Sequence, residues 1–89
     1  MVPSQKDWPE WWSWELECSN PHLAKRMIDR GFNEVELRDM LQRANGYRPD
    51  PVSGRWVITT THAGNPWEVV VEPQPAAKLL VVVTASEEG

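Results

Sequence analysis

The sequence is nearly free of cysteine: Cys18 is alone among 89 residues. A single cysteine excludes an internal disulfide and favours a reducing compartment, so we expect a cytoplasmic protein. A closed zinc site takes about four ligands, and the chain adds only His22 and His62 at wide spacing. We therefore expect neither a metal nor another cofactor.

Long hydrophobic runs are missing as well. The longest apolar stretch, residues 79–83, is far shorter than the roughly 20 residues that a helix needs to cross a bilayer. The first residues lack the basic start and apolar centre of a signal peptide. We expect no membrane contact.

The sequence also lacks a basic excess, because its formal net charge is −4. The charge is unevenly distributed, however. Residues 22–55 carry seven basic and five acidic side chains, which leaves that segment at +2 and the remainder at −6. This balance disfavours a long nucleic-acid track but allows a small positive surface on an acidic body.

Phe and Tyr are scarce, whereas Trp is abundant: six Trp stand against one Phe and one Tyr. Trp12, Trp14 and Leu16 alternate with polar residues, which predicts a strand with one apolar face. We expect Trp8 and Trp11 to remain exposed as an interface for a protein partner, since aromatic rings are enriched at interfaces. Their acidic neighbours disfavour stacking on nucleic-acid bases.

The middle of the sequence predicts two short helices. Asn20 is a typical N-cap before Pro21, and Gly31 is a typical left-handed C-cap. Asn33 and Glu36 form a capping box only two residues later, so the two helices make a hairpin. Helical spacing predicts a buried stripe on the first helix, formed by Ala24, Met27 and Ile28 with Leu23 beside it.

The second half of the sequence predicts β-structure. Residues 55–61 and 67–72 are typical of strands, and residues 62–66 of the hairpin that connects them. Residues 78–85 are apolar at both parities, which predicts a central strand covered on both faces. Residues 47–54 contain two prolines and a glycine, so they form either an edge strand or a loop.

This order of elements predicts an α+β fold. A strand is followed by a two-helix hairpin and then by a three-stranded antiparallel sheet, in the order βααβββ, with the helices packed on one face. We expect a single domain over residues 12–89, preceded by a flexible Trp-rich leader over residues 1–11.

Several motifs together resemble a known family. The stretch SNPHLAKRMIDRGFNEVELRDML has a His early in the first helix, an Arg-Met pair, an Arg-Gly helix end and a second, acidic-capped helix. With the later RPDPVSGRWVI and LLVVVTA, it resembles the bacterial family of unknown function numbered 4258 over about residues 15–85. That family is similar in architecture to the RelE/ParE-like toxins, within the barnase–EndoU–colicin–RelE-like superfamily.

The resemblance implies a metal-independent endoribonuclease that acts on RNA, as the toxin partner of a cognate antitoxin. It implies a candidate catalytic set of His22, Arg26, Arg30, Arg55 and Thr84, with Lys25 and Arg48 as RNA-binding residues.

The chemistry of RNA cleavage suits the residues of the first helix. Attack by the 2′-hydroxyl needs groups that transfer protons and cations that stabilise charge on the phosphate. Histidine changes its charge near neutral pH, so His22 is a candidate for proton transfer. Arg26 and Arg30 follow at i+4 and i+8 along one edge of the helix. Their mutual repulsion, about 0.2–0.5 kcal/mol for like charges at i,i+4, favours a bound anion.

Two alternatives remain open from the sequence. The first-helix cations could pair with Asp29, Glu34 or Glu36 as a solvated surface, and His62 could be either an exposed turn residue or a second proton carrier. The chain could also be a non-catalytic protein-interaction module with the same fold, which binds its partner through Trp8 and Trp11. The sequence does not predict an oligomeric state.

Overall fold

A computed structural model describes residues 8–88 of the chain. A mixed five-stranded sheet carries two helices on one face, and a 3₁₀ turn precedes the first strand. The elements are a 3₁₀ turn at Glu10–Ser13, β1 (Glu15–Glu17), α1 (Pro21–Arg30), α2 (Glu34–Gln42), β2 (Gly46–Pro49), β3 (Trp56–His62), β4 (Asn65–Gln74) and β5 (Leu79–Glu87).

The strands lie in the order β1-β5-β4-β3-β2. β1 is parallel to β5, and the other neighbouring strands are antiparallel. The α+β class and the placement of the helices on one face are confirmed. The predicted three antiparallel strands are present as β3, β4 and β5, but they belong to a larger, mixed sheet of five strands. Two short strands extend that sheet to five: β1 adds beside β5, and β2 pairs with β3 in spite of Pro49, which an edge strand tolerates.

Local capping explains where the helices begin and end. At α1, the Asn20 side chain accepts a hydrogen bond from the His22 backbone N–H at 2.8 Å, and Gly31 ends the helix at φ 69°. At α2, the Asn33 and Glu36 side chains each accept a hydrogen bond from the other residue's backbone N–H. Both helices therefore have the termini that their sequence signals predict.

The buried side of α1 differs from the predicted stripe. Leu23 is fully buried and Met27 is half-buried, whereas Ala24 is exposed and Ile28 is 82% exposed. The helix packs on β5 along the single row of Leu23 and Met27. A helix that contacts the sheet through one narrow row leaves the neighbouring row, which includes Ile28, in solvent.

The region before α1 also differs from the prediction of a strand from Trp12. Pro9 has φ −61°, and its carbonyl accepts a hydrogen bond from the Trp12 N–H at 3.0 Å, so a helical turn forms there instead. The strand itself is confined to β1. Trp8 and Trp11, which the sequence analysis assigned to a flexible leader, pack against the core; residues 1–7 of that leader lie outside the described residues.

The core lies between the helices and the inner face of the sheet. α1 lies on β5, and α2 lies on β3, where the Thr60 hydroxyl donates a hydrogen bond to the Met40 carbonyl. The largest fully buried side chains are Leu23, Leu37, Met40, Ile58, Val69, Val71, Val82 and Leu80.

The outer face of the sheet carries no described helix, so β5 is central but not covered on both faces as predicted. Val82 and Ala85 are fully buried under the helices, while Val81 and Thr84 on the outer face are half-buried. A register shift at Val70/Val71 brings both Val82 and Ala85 to the inner face. This irregularity explains why the apolar residues of β5 do not alternate strictly between the two faces of the sheet.

Candidate functional site

α1 carries a cluster of exposed side chains that can bind an anion or transfer a proton. His22, Lys25, Arg26 and Arg30 are all exposed. The three cations among them, Lys25, Arg26 and Arg30, form no ion pair with a carboxylate of the described chain. We call these four residues the α1 edge. Asp29 is the only carboxylate on the helix, so α1 has a local positive excess.

The other described arginines are all paired, unlike those of the α1 edge. Lys78, in the turn between β4 and β5, is the remaining described cation without an ion pair. The pairs are Arg38–Glu34 at 3.3 Å, Arg43–Asp39, Arg48–Glu68 at 2.6 Å and Arg55–Glu72 at 3.2 Å.

Three of the candidate site residues lie on the face of the sheet opposite to α1. Arg48 is the cross-strand neighbour of Val57, and Thr84 is that of Val70. Arg55 reaches Glu72, whose chain neighbour Val71 faces the helices. Successive side chains of a strand point to opposite faces, so Arg48, Arg55 and Thr84 are on the outer face. The structure thus brings together the α1 edge but not these three residues with it.

The two arginines of the outer face, Arg48 and Arg55, are held by ion pairs. The Glu68 carboxylate accepts a hydrogen bond from Arg48, and this contact raises the pKa of the Arg48 guanidinium. The Arg48–Glu68 and Arg55–Glu72 pairs link neighbouring strands across the sheet. Their side chains have a structural role that the α1 cations lack.

Chemically, the α1 edge can bind an anion and move a proton. Three cations on one helix can contact successive phosphates, and an exposed imidazole can accept or donate a proton. Cys18 is a poor nucleophile in comparison, because burial, first, and the Glu34 carboxylate, second, raise the pKa of its thiol.

His62 belongs to a different part of the molecule. It ends β3, and its ring lies 5.5 Å from the Trp67 ring and 6.5 Å from the Phe32 ring, centroid to centroid. Its Nε2 is 3.7 Å from the Glu36 carboxylate, which also caps α2. His62 is therefore a half-buried residue packed on aromatic rings rather than an exposed turn residue.

A second candidate site is formed by aromatic rings at the end of the sheet that carries β2. Five half-buried or exposed rings contact one another: Trp8, Trp11, Trp12, Tyr47 and Trp56. We call this group the aromatic surface. The shortest ring separations are 4.3 Å for Trp8–Trp12 and 4.9 Å for Trp8–Tyr47.

Trp8 and Trp11 are interface candidates from the sequence alone, whereas the other members of the aromatic surface are not. Tyr47 and Trp56 join them because β2 pairs with β3 in a register that sets Tyr47 opposite Ile58 and Pro49 opposite Trp56. Those positions share the inner face of the sheet. The sequence signal for these two rings was the short segment that forms β2. The prolines of residues 47–54 left it open whether that segment is an edge strand or a loop.

In comparisons with family models, curated proteins and solved structures, nothing matches this chain. No helix between residues 8 and 88 is long and apolar enough to cross a membrane. The same part of the chain contains no cluster of three or more His, Cys, Asp or Glu side chains placed to hold a metal ion.

Proposed function

We propose that this chain is a small RNA-acting domain of the RelE/ParE-like type, in which the α1 edge binds the phosphates of RNA and His22 transfers the proton. The observation that carries this proposal is the concentration on α1 of cations that have no ion pair within the described part of the chain. Elsewhere the described arginines are each held by a carboxylate.

Electrostatics support an anionic ligand at α1. Arg26 and Arg30 are at i,i+4, where like charges repel by about 0.2–0.5 kcal/mol in the absence of a counter-charge. An RNA backbone supplies that counter-charge at regular intervals. The exposure of His22 one turn before Arg26 leaves its imidazole accessible to the same ligand.

The architecture is compatible with the proposal. A strand, two helices and an antiparallel β-meander follow one another in the chain, as in the plan that the sequence resemblance implies. Within this proposal Arg48, Arg55 and Thr84 do not contact RNA at the α1 edge, because they lie on the outer face.

Cleavage at the α1 edge would proceed without a metal ion. The 2′-oxygen attacks the adjacent phosphorus, and His22 accepts the 2′-hydroxyl proton as the new O–P bond forms. The bond from phosphorus to the 5′-oxygen breaks, and that oxygen takes a proton from solvent. Arg26 and Arg30 stabilise the negative charge that develops on the phosphate oxygens.

The test compares α1 with α2. The wild-type protein and its His22→Ala, Arg26→Ala and Arg38→Ala variants are expressed in bacteria, and growth and RNA integrity are followed. Arg38 is the matched control, because it is an exposed arginine already paired with Glu34. We expect RNA cleavage and growth arrest with wild type and Arg38→Ala, and neither with the two α1 variants.

Binding is measured separately from cleavage with a single-stranded RNA oligonucleotide. Losing one phosphate contact should flatten the plot of log affinity against log salt by about 0.7 for each cation removed. His22→Ala should abolish cleavage but leave that slope unchanged. If Arg26→Ala and Arg38→Ala bind RNA equally well, the α1 edge is not the RNA site.

The aromatic surface favours a second candidate function, a non-catalytic protein-interaction module. Its observation is independent of α1: several large rings that remain partly exposed at one end of the sheet. If wild-type protein neither arrests growth nor binds RNA, this second function replaces the first.

A further inference from the structure

We propose that the outer face of the sheet is the contact surface of a symmetric homodimer, in which a second copy of this chain covers it. This interface goes beyond the RNA-acting function and does not depend on it, because α1 packs on the inner face. The proposal rests on the aliphatic residues of the outer face, on strand register and on the charges at the two sides of the sheet.

The outer face has an aliphatic centre. Leu79 and Val81 of β5 and Val70 of β4 lie on it and are half-buried, although no described helix packs there. Val57 of β3 is only 5% exposed, yet it does not belong to the core cluster under the helices. A strand that is apolar at both parities, as β5 is, is typical of a strand covered on both faces. Within one copy, the described chain covers only the inner face.

The two sides of the outer face carry different charges. On β1, Glu15 is exposed and Glu17 is partly exposed, and neither forms an ion pair between residues 8 and 88. On the other side, the Arg48 and Arg55 side chains remain 53% and 36% exposed in spite of their ion pairs. A guanidinium has five N–H donors, so each arginine can bind a second carboxylate.

Strand register sets Glu17 and Arg55 in one row across the sheet. Glu17 on β1 is paired with Val81 on β5, and Val81 with Glu72 on β4. Arg55 directly precedes β3 and continues the row, since it forms its ion pair with Glu72 at 3.2 Å. The row therefore has a carboxylate at its β1 end and a guanidinium at its β3 end.

A two-fold axis that runs along the strands, between β5 and β4, relates these two ends. The strand order is β1-β5-β4-β3-β2, so rotation by 180° about this axis exchanges β1 with β3 and β5 with β4. When two such sheets pack face to face, about 10 Å apart, Glu17 of each copy meets Arg55 of the other. The aliphatic residues of β5 and β4 meet at the centre of the interface.

The charges select a second copy rather than another partner. A purely basic segment would complement only the β1 side of the outer face, and a purely acidic one only the side of Arg48 and Arg55. A second copy supplies both signs in the required order, which is the self-complementarity of a two-fold interface. Because α1 lies on the far side of each sheet, both copies keep the α1 edge exposed.

The experiment measures the mass of the full chain by sedimentation equilibrium, at protein concentrations from about 1 to about 500 µM. We expect a reversible rise from the 10.2 kDa of one chain toward twice that mass. Val81→Asp places a carboxylate at the centre of the interface and should weaken dimerisation at least about 100-fold. The matched control is Val35→Asp at an exposed position of α2, which should leave dimerisation unchanged. Urea unfolding in dilute protein, where the chain is a monomer, reports whether each variant folds.

A double-mutant cycle tests the charge pair and does not require that Val81→Asp folds. Glu17→Gln keeps an acceptor for the Ser19 N–H but removes the charge. Because the change occurs twice in a symmetric dimer, we expect about 2- to 30-fold weaker dimerisation. Arg55→Gln should have a similar effect, and the double variant should be no weaker than the more affected single variant. Arg48→Gln is the control, since β2 lies beyond the strand that the axis places over β1; its effect should multiply with that of Glu17→Gln.

Three results would overturn the proposal. The mass of one chain at every concentration would mean that no homodimer forms. Loss of the dimer in Val35→Asp but not in Val81→Asp would place the contact on the helical side of the molecule. Effects of Glu17→Gln and Arg55→Gln that simply multiply would mean that these residues do not pair between copies. Sedimentation is measured without RNA, so this proposal and the RNA-acting function can fail separately.

Discussion

The two helices are neighbours in the chain and nearly equal in length, but they use their side chains in different ways. α2 buries Leu37, Met40 and Leu41 against the sheet, whereas α1 buries only Leu23 completely. The charges differ in the same sense. Both arginines associated with α2 bond to a carboxylate four residues earlier, while those of α1 have no ion pair with a carboxylate between residues 8 and 88.

This difference separates a helix whose side chains mainly hold the fold from a helix whose cations have no ion pair among the described residues. The charged side chains of α2 pair within the helix and its apolar row packs on the core, although Val35 is 76% exposed. α1 reaches the core through one narrow row and presents the rest of its surface to solvent. Each helix exposes one large apolar side chain, Ile28 in α1 and Val35 in α2, so the helices differ in the pairing of their cations within the described chain rather than in exposed apolar surface.

The largest effect is expected from breaking the core contact of each helix. Leu23→Ala and Leu37→Ala remove side chains that are fully buried, and each should lower the free energy of unfolding by about 2–5 kcal/mol. Ile28→Ala, on the exposed row of α1, should change it by no more than about 0.5 kcal/mol. Urea unfolding followed by circular dichroism measures all three. A large loss in Ile28→Ala would show that α1 packs through the row originally predicted.

The next effect concerns the helix caps. Asn20 provides one side-chain bond to α1, while Asn33 and Glu36 provide two reciprocal bonds to α2. We expect Asn20→Ala to cost about 1 kcal/mol and the double variant Asn33→Ala/Glu36→Ala about 2 kcal/mol of unfolding free energy. The measurement is again urea unfolding.

Glu36→Gln serves as the control for the capping box. Glutamine keeps the acceptor that the box needs, but it removes the charge that faces His62. The single variant Glu36→Ala, which removes both the acceptor and the charge, is measured beside it. If Glu36→Gln is as unstable as Glu36→Ala, the charge toward His62 matters more than the cap. If Asn20→Ala costs as much as the double variant, the two caps do not differ as the geometry indicates.

A smaller effect, opposite in sign between the helices, is expected for the exposed arginines. Arg38→Ala removes an i,i+4 ion pair with Glu34 and should destabilise the protein by about 0.3–0.5 kcal/mol. Arg26→Ala removes repulsion toward Arg30 and should stabilise it by about 0.2–0.5 kcal/mol. Both effects should shrink in 0.5 M NaCl, because salt screens exposed charges. Loss of stability in Arg26→Ala would mean that Arg26 has a structural partner.

The ends of both helices can be predicted from the sequence because their capping signals are local. Asn20, Gly31, Asn33 and Glu36 act within a few residues of themselves, so the sequence alone predicts what they do. The choice between Leu23 and Ile28 as the buried residue of α1 could not be made in that way. Helical period indicates an apolar side, but the packing of the sheet decides the rotation of the helix about its axis.

The aromatic surface and the position of Arg48 depend on long-range strand pairing, which the sequence alone does not predict. Trp8 meets Tyr47, and Trp11 meets Trp56, only after β2 has paired with β3. The separation of Arg48 from the α1 edge likewise depends on strand register, which no local pattern specifies. The cluster of cations on α1 was visible in the sequence, because residues of one helix need no partner element to lie together.

The smallest effect is expected at the connection that leads from β1 into α1. The Glu17 carboxylate accepts a hydrogen bond from the Ser19 backbone N–H at 2.7 Å, and bonding to Ser19 lowers the pKa of Glu17. The folded state favours the ionised carboxylate of Glu17. The contribution of this carboxylate to stability is therefore full above about pH 4.3, the ordinary pKa of glutamate. That contribution is lost as the pH falls through the lowered pKa.

Glu17→Gln should therefore be slightly less stable than wild type at neutral pH and equal to it in strong acid. Urea unfolding at a series of pH values measures this difference, and Glu15→Gln, at an exposed position of the same strand, is the matched control. A difference that persists in strong acid would mean that the hydrogen bond does not depend on the charge of Glu17.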